Sequence, residues 1–147
     1  MNRKLINFTK NFLIILLLFL FFAAASHDNL QAESRIHLEK WYQDNWCNEH
    51  NGETEVVLSD RTRCDCVTDD YAIEFDFGNK WAEGIGQCLY YSTQTGKQPG
   101  LALILEHDSD YKYYIRASVT VEEMHLPITI WIVRPWDFDQ KSKSGGF

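Results

Sequence analysis

The sequence predicts an α/β domain in which helices flank a mixed central β-sheet, and three observations support this. Apolar and polar side chains alternate strictly over residues 71–77, which is typical of a strand with two different faces. Residues 101–105 form a continuous apolar run, which favours a strand buried on both faces. Between them, four apolar residues recur at helical spacing and predict a crossover helix: Trp81, Ile85, Cys88 and Leu89.

The remaining elements follow from the same kinds of pattern. Ser34 is a suitable N-cap for a first helix with the apolar stripe Leu38, Trp41, Tyr42 and Trp46. That helix should end at the turn signal of residues 51–52. We expect strands at residues 55–58, 63–67 and 71–77, a helix at 80–92, a buried strand at 101–105, a helix from 111 and a last strand at 128–133. The predicted order is α-β-β-β-α-β-α-β, which favours a sandwich with a mixed sheet.

The first 32 residues predict a signal peptide rather than part of the fold. A basic start precedes an uncharged apolar run over residues 12–25, and small residues offer cleavage sites near Ala25 or Ala32. The run is short for a membrane span, so a retained N-terminal anchor is the weaker alternative. We expect export to the periplasm or the extracellular space, with no stable membrane association after cleavage. A single domain should cover residues 33–140, followed by a flexible tail at 141–147.

The charge of the processed chain argues against general nucleic-acid binding. Cleavage near Ala32 leaves 11 basic and 20 acidic residues, a formal charge of −9. Affinity for a phosphate backbone comes from lysine and arginine, so only a local basic rim could guide a strand. Aromatic residues are abundant, and although core packing explains most of them, some could stack on bases: Tyr90, Tyr91, Trp131 and Trp136.

The four cysteines leave three alternatives open. Export permits one or two disulfides among Cys47, Cys64, Cys66 and Cys88, while buried free thiols are the second alternative. The third is zinc, because Cys47-x-x-His50 followed by Cys64-x-Cys66 has some character of a ligand set. Strand alternation places Cys64 and Cys66 on one face, opposite the residue between them.

The acidic residues on the second and third strands form the most informative pattern. Glu74 and Asp76 share a face of their strand because side chains repeat every two residues. If the second and third strands pair, Asp65 can lie beside Glu74. A shallow cluster of carboxylate oxygens with room for water suits Mg²⁺. The following helix adds a narrow polar stripe to the same region: Lys80, Glu83, Gln87 and Tyr91. A solvated helix face is the ordinary alternative for that stripe.

At these residues the chain resembles the restriction-endonuclease-like superfamily, the PD-(D/E)XK nucleases. The resemblance covers residues 49–106 and rests on Asp65, on the triplet that begins at Glu74, and on Gln87-x-x-x-Tyr91. It implies a restriction-endonuclease-like sandwich in which Asp65 and Glu74 bind Mg²⁺ or Mn²⁺. It also implies that the helix carrying Gln87 borders the site and a DNA substrate.

One position departs from the superfamily's pattern. Asp76 stands where these nucleases normally have a lysine, and Lys80, four residues later, can place its ammonium group in the same space. The resemblance therefore implies Asp65, Glu74, Lys80 and Gln87 as catalytic residues, supported by Asp76, Glu83 and Tyr91. Glu39 resembles an additional carboxylate that many of these nucleases carry on a helix, and Glu55 has a similar claim. For both residues an exposed side chain is the ordinary alternative.

Three hypotheses follow. The first is an exported, metal-dependent nuclease that hydrolyses phosphodiester bonds of DNA. The second is a catalytically inactive binding or interaction module on the same fold, and it differs from the first in whether Lys80 reaches the face of Asp65 and Glu74. The third is an unrelated secreted domain stapled by disulfides, in which Asp65 and Glu74 are not neighbours.

Overall fold

The computed structural model describes residues 35–139. The expected signal peptide, its cleavage sites and the tail at 141–147 lie outside the described residues, so these remain predictions. Within the described range, no helix is both long and apolar enough to span a bilayer.

A single mixed sheet forms the centre of this domain, as the sequence predicts. Within residues 35–139 it has five strands in the spatial order β1-β2-β3-β4-β5. The first three strands form an antiparallel meander, whereas β3 pairs with β4 and β4 with β5 in parallel. The strands are β1 (Glu53–Val57), β2 (Arg63–Val67), β3 (Tyr71–Phe77), β4 (Gln98–Ile104) and β5 (Thr129–Val133).

The helices connect and cover the strands in the predicted order. They are α1 (Glu39–Glu49), α2 (Trp81–Thr95), α3 (Tyr111–Glu123) and a short α4 (Trp136–Asp139). The sequence did not predict α4, because four residues are too few to display a helical period. The parallel pairs β3/β4 and β4/β5 are connected through α2 and α3, since a parallel connection needs a crossover.

The two faces of the sheet bury different side chains. Helix α1 covers an aromatic face, whose core includes Tyr42, Trp46, Phe75 and Phe77. Helices α2 and α3 cover the opposite face. The core on that side includes Cys88 of α2, Leu101 and Leu103 of β4, and Ala117 of α3. Residues 101–105 are all buried, as expected for a strand sandwiched between two layers.

Helix α1 begins later than the sequence predicts. Its first residue is Glu39, and the preceding Leu38 has extended backbone angles and is 80% exposed, so it does not belong to the buried stripe. Ser34 is therefore not the N-cap. The reason lies in residues 36–37, whose backbone N–H groups donate to the buried Glu106 carboxylate at 2.9 and 3.0 Å. Those hydrogen bonds stabilise a non-helical segment before Glu39.

The cysteines resolve into one disulfide and two buried thiols. Cys47 of α1 and Cys66 of β2 are bonded, with their Cα atoms 5.9 Å apart. The pair is consistent with an oxidising compartment and removes two of the ligands that a zinc site would need. Cys64 and Cys88 are buried free thiols. The expectation that Cys64 and Cys66 share a face is wrong, because Cys64 packs on the opposite side, against Tyr91 of α2.

Candidate functional site

A local break in the sheet brings Asp65 to strand β3. Strands β2 and β3 pair at Cys66–Ile73 and Val67–Ala72. Further along β3, a side chain replaces the backbone as the hydrogen-bond acceptor. Asp65 Oδ2 accepts a hydrogen bond from the Phe75 N–H at 2.9 Å. A carboxylate that accepts a strand N–H in this way is held close to the neighbouring side chains of β3.

Asp65 and Glu74 are neighbours, and each carboxyl group shifts the pKa of the other. The negative charge of Asp65 adds to burial in raising the pKa of Glu74, so the pair favours a proton on Glu74. The sequence predicted this adjacency from strand alternation and pairing. The observed contact depends in addition on the break in the ladder.

Glu74 and Asp76 are buried against helix α2. Their residues are only 5% and 3% exposed. A Cβ atom added at Gly84 of α2 would lie 3.2 Å from Asp76 Oδ2, so a glycine is what allows the helix to approach this carboxylate. Among the described residues, Glu74 Oε2 and Asp76 Oδ2 are buried side-chain oxygens without a hydrogen-bond partner. Each such oxygen is costly, and an orphaned buried polar atom is an indication of function.

Burial dominates the electrostatics of this acidic cluster. Together with the smaller effect of the negative charges of Asp65 and Asp76, it raises the pKa of Glu74 to about 10. Burial also raises the pKa of Asp76 to about 7, although the Lys80 ammonium opposes that shift. The pKa of Asp65 rises for the same reason, while its hydrogen bond from Phe75 opposes the rise. The metal-free cluster therefore retains a proton on Glu74 at neutral pH.

Lys80 reaches the acidic face. Its Nζ lies 3.6 Å from Asp76 Oδ1, and its side chain is 50% exposed, so the ammonium bridges the buried carboxylates and solvent. The negative charge of Asp76 raises the pKa of Lys80, which keeps it cationic. Lys80 is thus on the face of Asp76 and is paired with that carboxylate.

The rest of the predicted polar stripe of α2 borders the cluster. Gln87 lies beside the hydroxyl of the buried Tyr91 and slightly opposes the rise in its pKa. Burial and the charge of Glu74 raise the pKa of Tyr91 to about 12, so its hydroxyl stays protonated beside the carboxylates. Glu83 is exposed, and its charge raises the pKa of both Asp76 and Lys80 from the rim.

The two upstream acids also face this region. Glu39, in the first turn of α1, is half-buried, and its pKa is raised by burial and by the charge of Asp65. Glu55 of β1 lies across from Asp65 in the register and pairs with Arg63 at 3.0 Å. Its φ of +56° is unusual for a non-glycine residue inside a strand. Both acids thus lie near Asp65.

Two residues at this site were missed. The buried Gln43 of α1 donates from Nε2 to Glu55 Oε1 at 3.1 Å and to the Asp65 carbonyl oxygen at 2.5 Å. Arg63 pairs with Glu55. Spacing could have found both, because Gln43 lies four residues after Glu39 on the helix and Arg63 lies two before Asp65 on the strand.

The donor set fits a hard cation better than a soft one. Within residues 35–139, no group of three or more His, Cys, Asp or Glu side chains is arranged to hold a metal ion. Mg²⁺, however, is commonly held by one or two carboxylates and completes its octahedron with water and substrate. Asp65 and Glu74 supply such a pair, and the orphaned oxygens of Glu74 and Asp76 are of the type that this ion, or Mn²⁺, prefers.

Comparisons with known proteins give no further guidance. No protein-family model, no curated protein and no solved structure matches this chain. The geometry of the site therefore has to carry the functional inference.

Proposed function

We propose that this protein is an exported, metal-dependent nuclease that hydrolyses phosphodiester bonds of DNA on a restriction-endonuclease-like fold. One observation carries the proposal: Glu74 and Asp76 are buried with orphaned oxygens, beside Asp65 and within reach of Lys80. A stable fold gains nothing from burying several carboxylates together, because each pays a desolvation cost. Clusters with strongly raised pKa values are characteristic of functional sites.

The order of elements supports the same class of enzyme. A helix, three strands, a helix and a fourth strand follow one another as the resemblance requires. Asp65 lies on the second strand, Glu74 on the third, and Gln87 with Tyr91 on the helix after it. These positions are the ones from which the superfamily's residues act.

Each residue has a distinct role in this proposal. Asp65 and Glu74 would hold Mg²⁺, which supplies charge neutralisation of the phosphate and a lower pKa for an attacking water. Glu74 has to release its proton before it can act as a ligand, so affinity for the metal increases with pH. The Lys80 ammonium stabilises negative charge that develops on the phosphoryl oxygens, and Gln87 and Tyr91 border the substrate.

The second hypothesis, an inactive binding module, is favoured by one specific contact. The Asp76 carboxylate stands at the superfamily's lysine position and pairs with the replacement, Lys80. In an inactive relative this ion pair would persist and keep Lys80 from a phosphate. The third hypothesis expects Asp65 and Glu74 to lie apart, so their proximity supports the first two hypotheses over it.

A cleavage assay tests the proposal. The full chain is produced with its leader and purified in oxidised form, and supercoiled plasmid is incubated with Mg²⁺, with Mn²⁺ or with EDTA. We expect degradation that requires the metal and disappears in Glu74→Ala, whereas Glu123→Ala, at the exposed end of α3, keeps most of it. Plasmid that stays intact with both metals would leave the inactive module as the better account. A parallel RNA substrate identifies the nucleic acid that is cleaved.

A further inference from the structure

A cavity with polar lining groups opens at the carboxyl ends of β4 and β5. Its volume is about 250 Å³, and it is lined by Leu105, His107, Asp108, Tyr111, Arg134 and Trp136. Leu105 and Arg134 directly follow the last residues of these two parallel strands. In open α/β sheets, the carboxyl ends of the strands are where ligands usually bind. The volume lies below the range of about 300–1,000 Å³ for drug-sized ligands, so it suits a single base or nucleotide.

The lining groups combine flat rings with a cation. Tyr111 and Trp136 are 46% and 49% exposed, so their rings are accessible from solvent at the cavity. The guanidinium carbon of Arg134 lies 5.8 Å from the centroid of the Trp136 ring. Aromatic faces bind bases by stacking, and a guanidinium binds phosphate through paired hydrogen bonds. Asp108 and His107 add groups that can hydrogen-bond the edge of a base.

The cavity lies on the same sheet as the acidic site, at the ends of the two strands beyond β3. Asp76 of β3 is opposite Leu103 of β4, and Leu103 is opposite Ile132 of β5. Across the sheet, the cavity is therefore roughly two strand spacings, or about 10 Å, from Asp76. A Cβ atom added at Gly78 would lie 3.0 Å from side-chain atoms of both Leu105 and Tyr113. The segment after β3 therefore touches residues that border the cavity.

Cations line the interval between the two sites. Lys112 and Arg116 of α3 lie over the Tyr113 ring, at 4.9 and 5.7 Å from its centroid. With Lys80 at one end and Arg134 at the other, four basic side chains follow this side of an otherwise acidic protein.

We propose that Tyr111, Arg134 and Trp136 form a subsite for one unpaired nucleotide of the strand whose phosphodiester lies at Asp65 and Glu74. The inference rests on the proposed nuclease function and extends it to a substrate class, namely single-stranded nucleic acid. A base inside a duplex is stacked on its neighbours and cannot present its face to Trp136 unless it is first extruded. Single strands offer the base without that cost.

Binding without metal tests the subsite independently of cleavage. Fluorescein-labelled 12-nucleotide single strands and the matching duplex are titrated in EDTA against the full protein and its variants. Trp136→Leu should weaken binding of the single strand by about 5- to 100-fold, while Trp136→Phe, which keeps a ring, should retain most of it. Arg134→Gln should weaken binding and lower the slope of log affinity against log salt by about one. Arg61→Gln, on the exposed β1–β2 turn, is the matched control and should change nothing.

The outcomes separate this subsite from the nuclease itself. If the protein binds the single strand with the expected losses but does not cleave, the nuclease proposal fails and the subsite stands. If the protein cleaves but Trp136→Leu and Arg134→Gln leave KM unchanged, the subsite is wrong and the nuclease stands. Absence of binding to the single strand, or equal affinity for the duplex, overturns the subsite as well. Circular dichroism and thermal melts confirm that each variant is folded.

Discussion

The protonated Glu74 makes a specific prediction about stability and pH. In the unfolded chain this carboxyl group ionises near pH 4.5, whereas the folded protein holds its proton up to a pKa of about 10. Between those values the folded state binds more protons than the unfolded state, so the free energy of unfolding falls as pH rises. Glu74→Gln mimics the neutral acid and removes this dependence. The variant should therefore gain stability relative to the parent as the solution becomes more alkaline.

The magnitude follows from the slope of that dependence. One retained proton changes the free energy of unfolding by at most about 1.4 kcal/mol per pH unit. From pH 5.5 to 7.5, the difference between Glu74→Gln and the parent should therefore change by up to about 3 kcal/mol. Coupling to Asp65 and partial relaxation of the site reduce this, and we expect a change of about 1 to 3 kcal/mol. Asp76, whose pKa is about 7, contributes a slope of the same sign to both proteins.

Urea unfolding at both pH values, in EDTA, measures the difference. Glu123→Gln is the matched control, since it makes the same chemical change at the exposed end of α3, and its offset from the parent should not vary with pH. Mg²⁺ at pH 7.5 should then stabilise the parent by about 2.7 kcal/mol at one hundred times its dissociation constant, but not Glu74→Gln. A pH-independent offset for Glu74→Gln would show that Glu74 is already ionised without metal, and the electrostatic argument would be refuted.

Three further predictions concern the lysine, the helix contact and the disulfide. Lys80→Ala should lower turnover by about a hundredfold or more with little change in metal affinity, and Asp76→Lys should restore part of it; unchanged turnover in plasmid cleavage would exclude Lys80 from catalysis. Gly84→Ala should destabilise the fold by about 1 to 3 kcal/mol, because α2 lies close to its neighbours at this position. The control is Gly86→Ala, whose added Cβ would meet nothing within 4 Å and which should stabilise the fold by about 0.5 to 1 kcal/mol. Equal effects of the two substitutions in urea unfolding would contradict the contact at Gly84. Cys47→Ser should cost about 3 kcal/mol for a sequence separation of 19 residues, and an unchanged unfolding midpoint would argue against the bond.

Much of the fold was accessible from the sequence because its strongest patterns are long and regular. The alternation in β3 and the apolar run in β4 each predicted a strand, and the structure has both. Strand β4 is buried on both faces as predicted, whereas β3 also buries its acidic face, which alternation does not predict. The first helix was placed too early for a tertiary reason, since the Glu106 carboxylate that holds residues 36–37 comes from a position about 70 residues away. No local pattern records such a contact. The short α4 offered no period at all.

The sequence predicted which residues belong to the candidate site but not their detailed geometry. The errors lie where the chain departs from regular strand geometry. Alternation placed Cys64 on the wrong face because it assumes an unbroken ladder, whereas Asp65 interrupts that ladder by binding the Phe75 N–H. Directly across from Asp65 in the register, Glu55 has a positive φ, a conformation that costs on the order of 1 kcal/mol or more.

Both irregularities are maintained by Gln43, which donates to the Glu55 carboxylate and to the Asp65 carbonyl oxygen. Locally unfavourable geometry that a buried polar side chain holds in place is expected at functional sites, where local rules yield to the requirements of the chemistry. In a regular ladder a backbone carbonyl, and not the Asp65 side chain, would accept the hydrogen bond from the Phe75 N–H. The departure from strand geometry therefore places the Asp65 carboxylate beside that of Glu74. This placement supports a shared cation-binding role more strongly than the burial of charge alone.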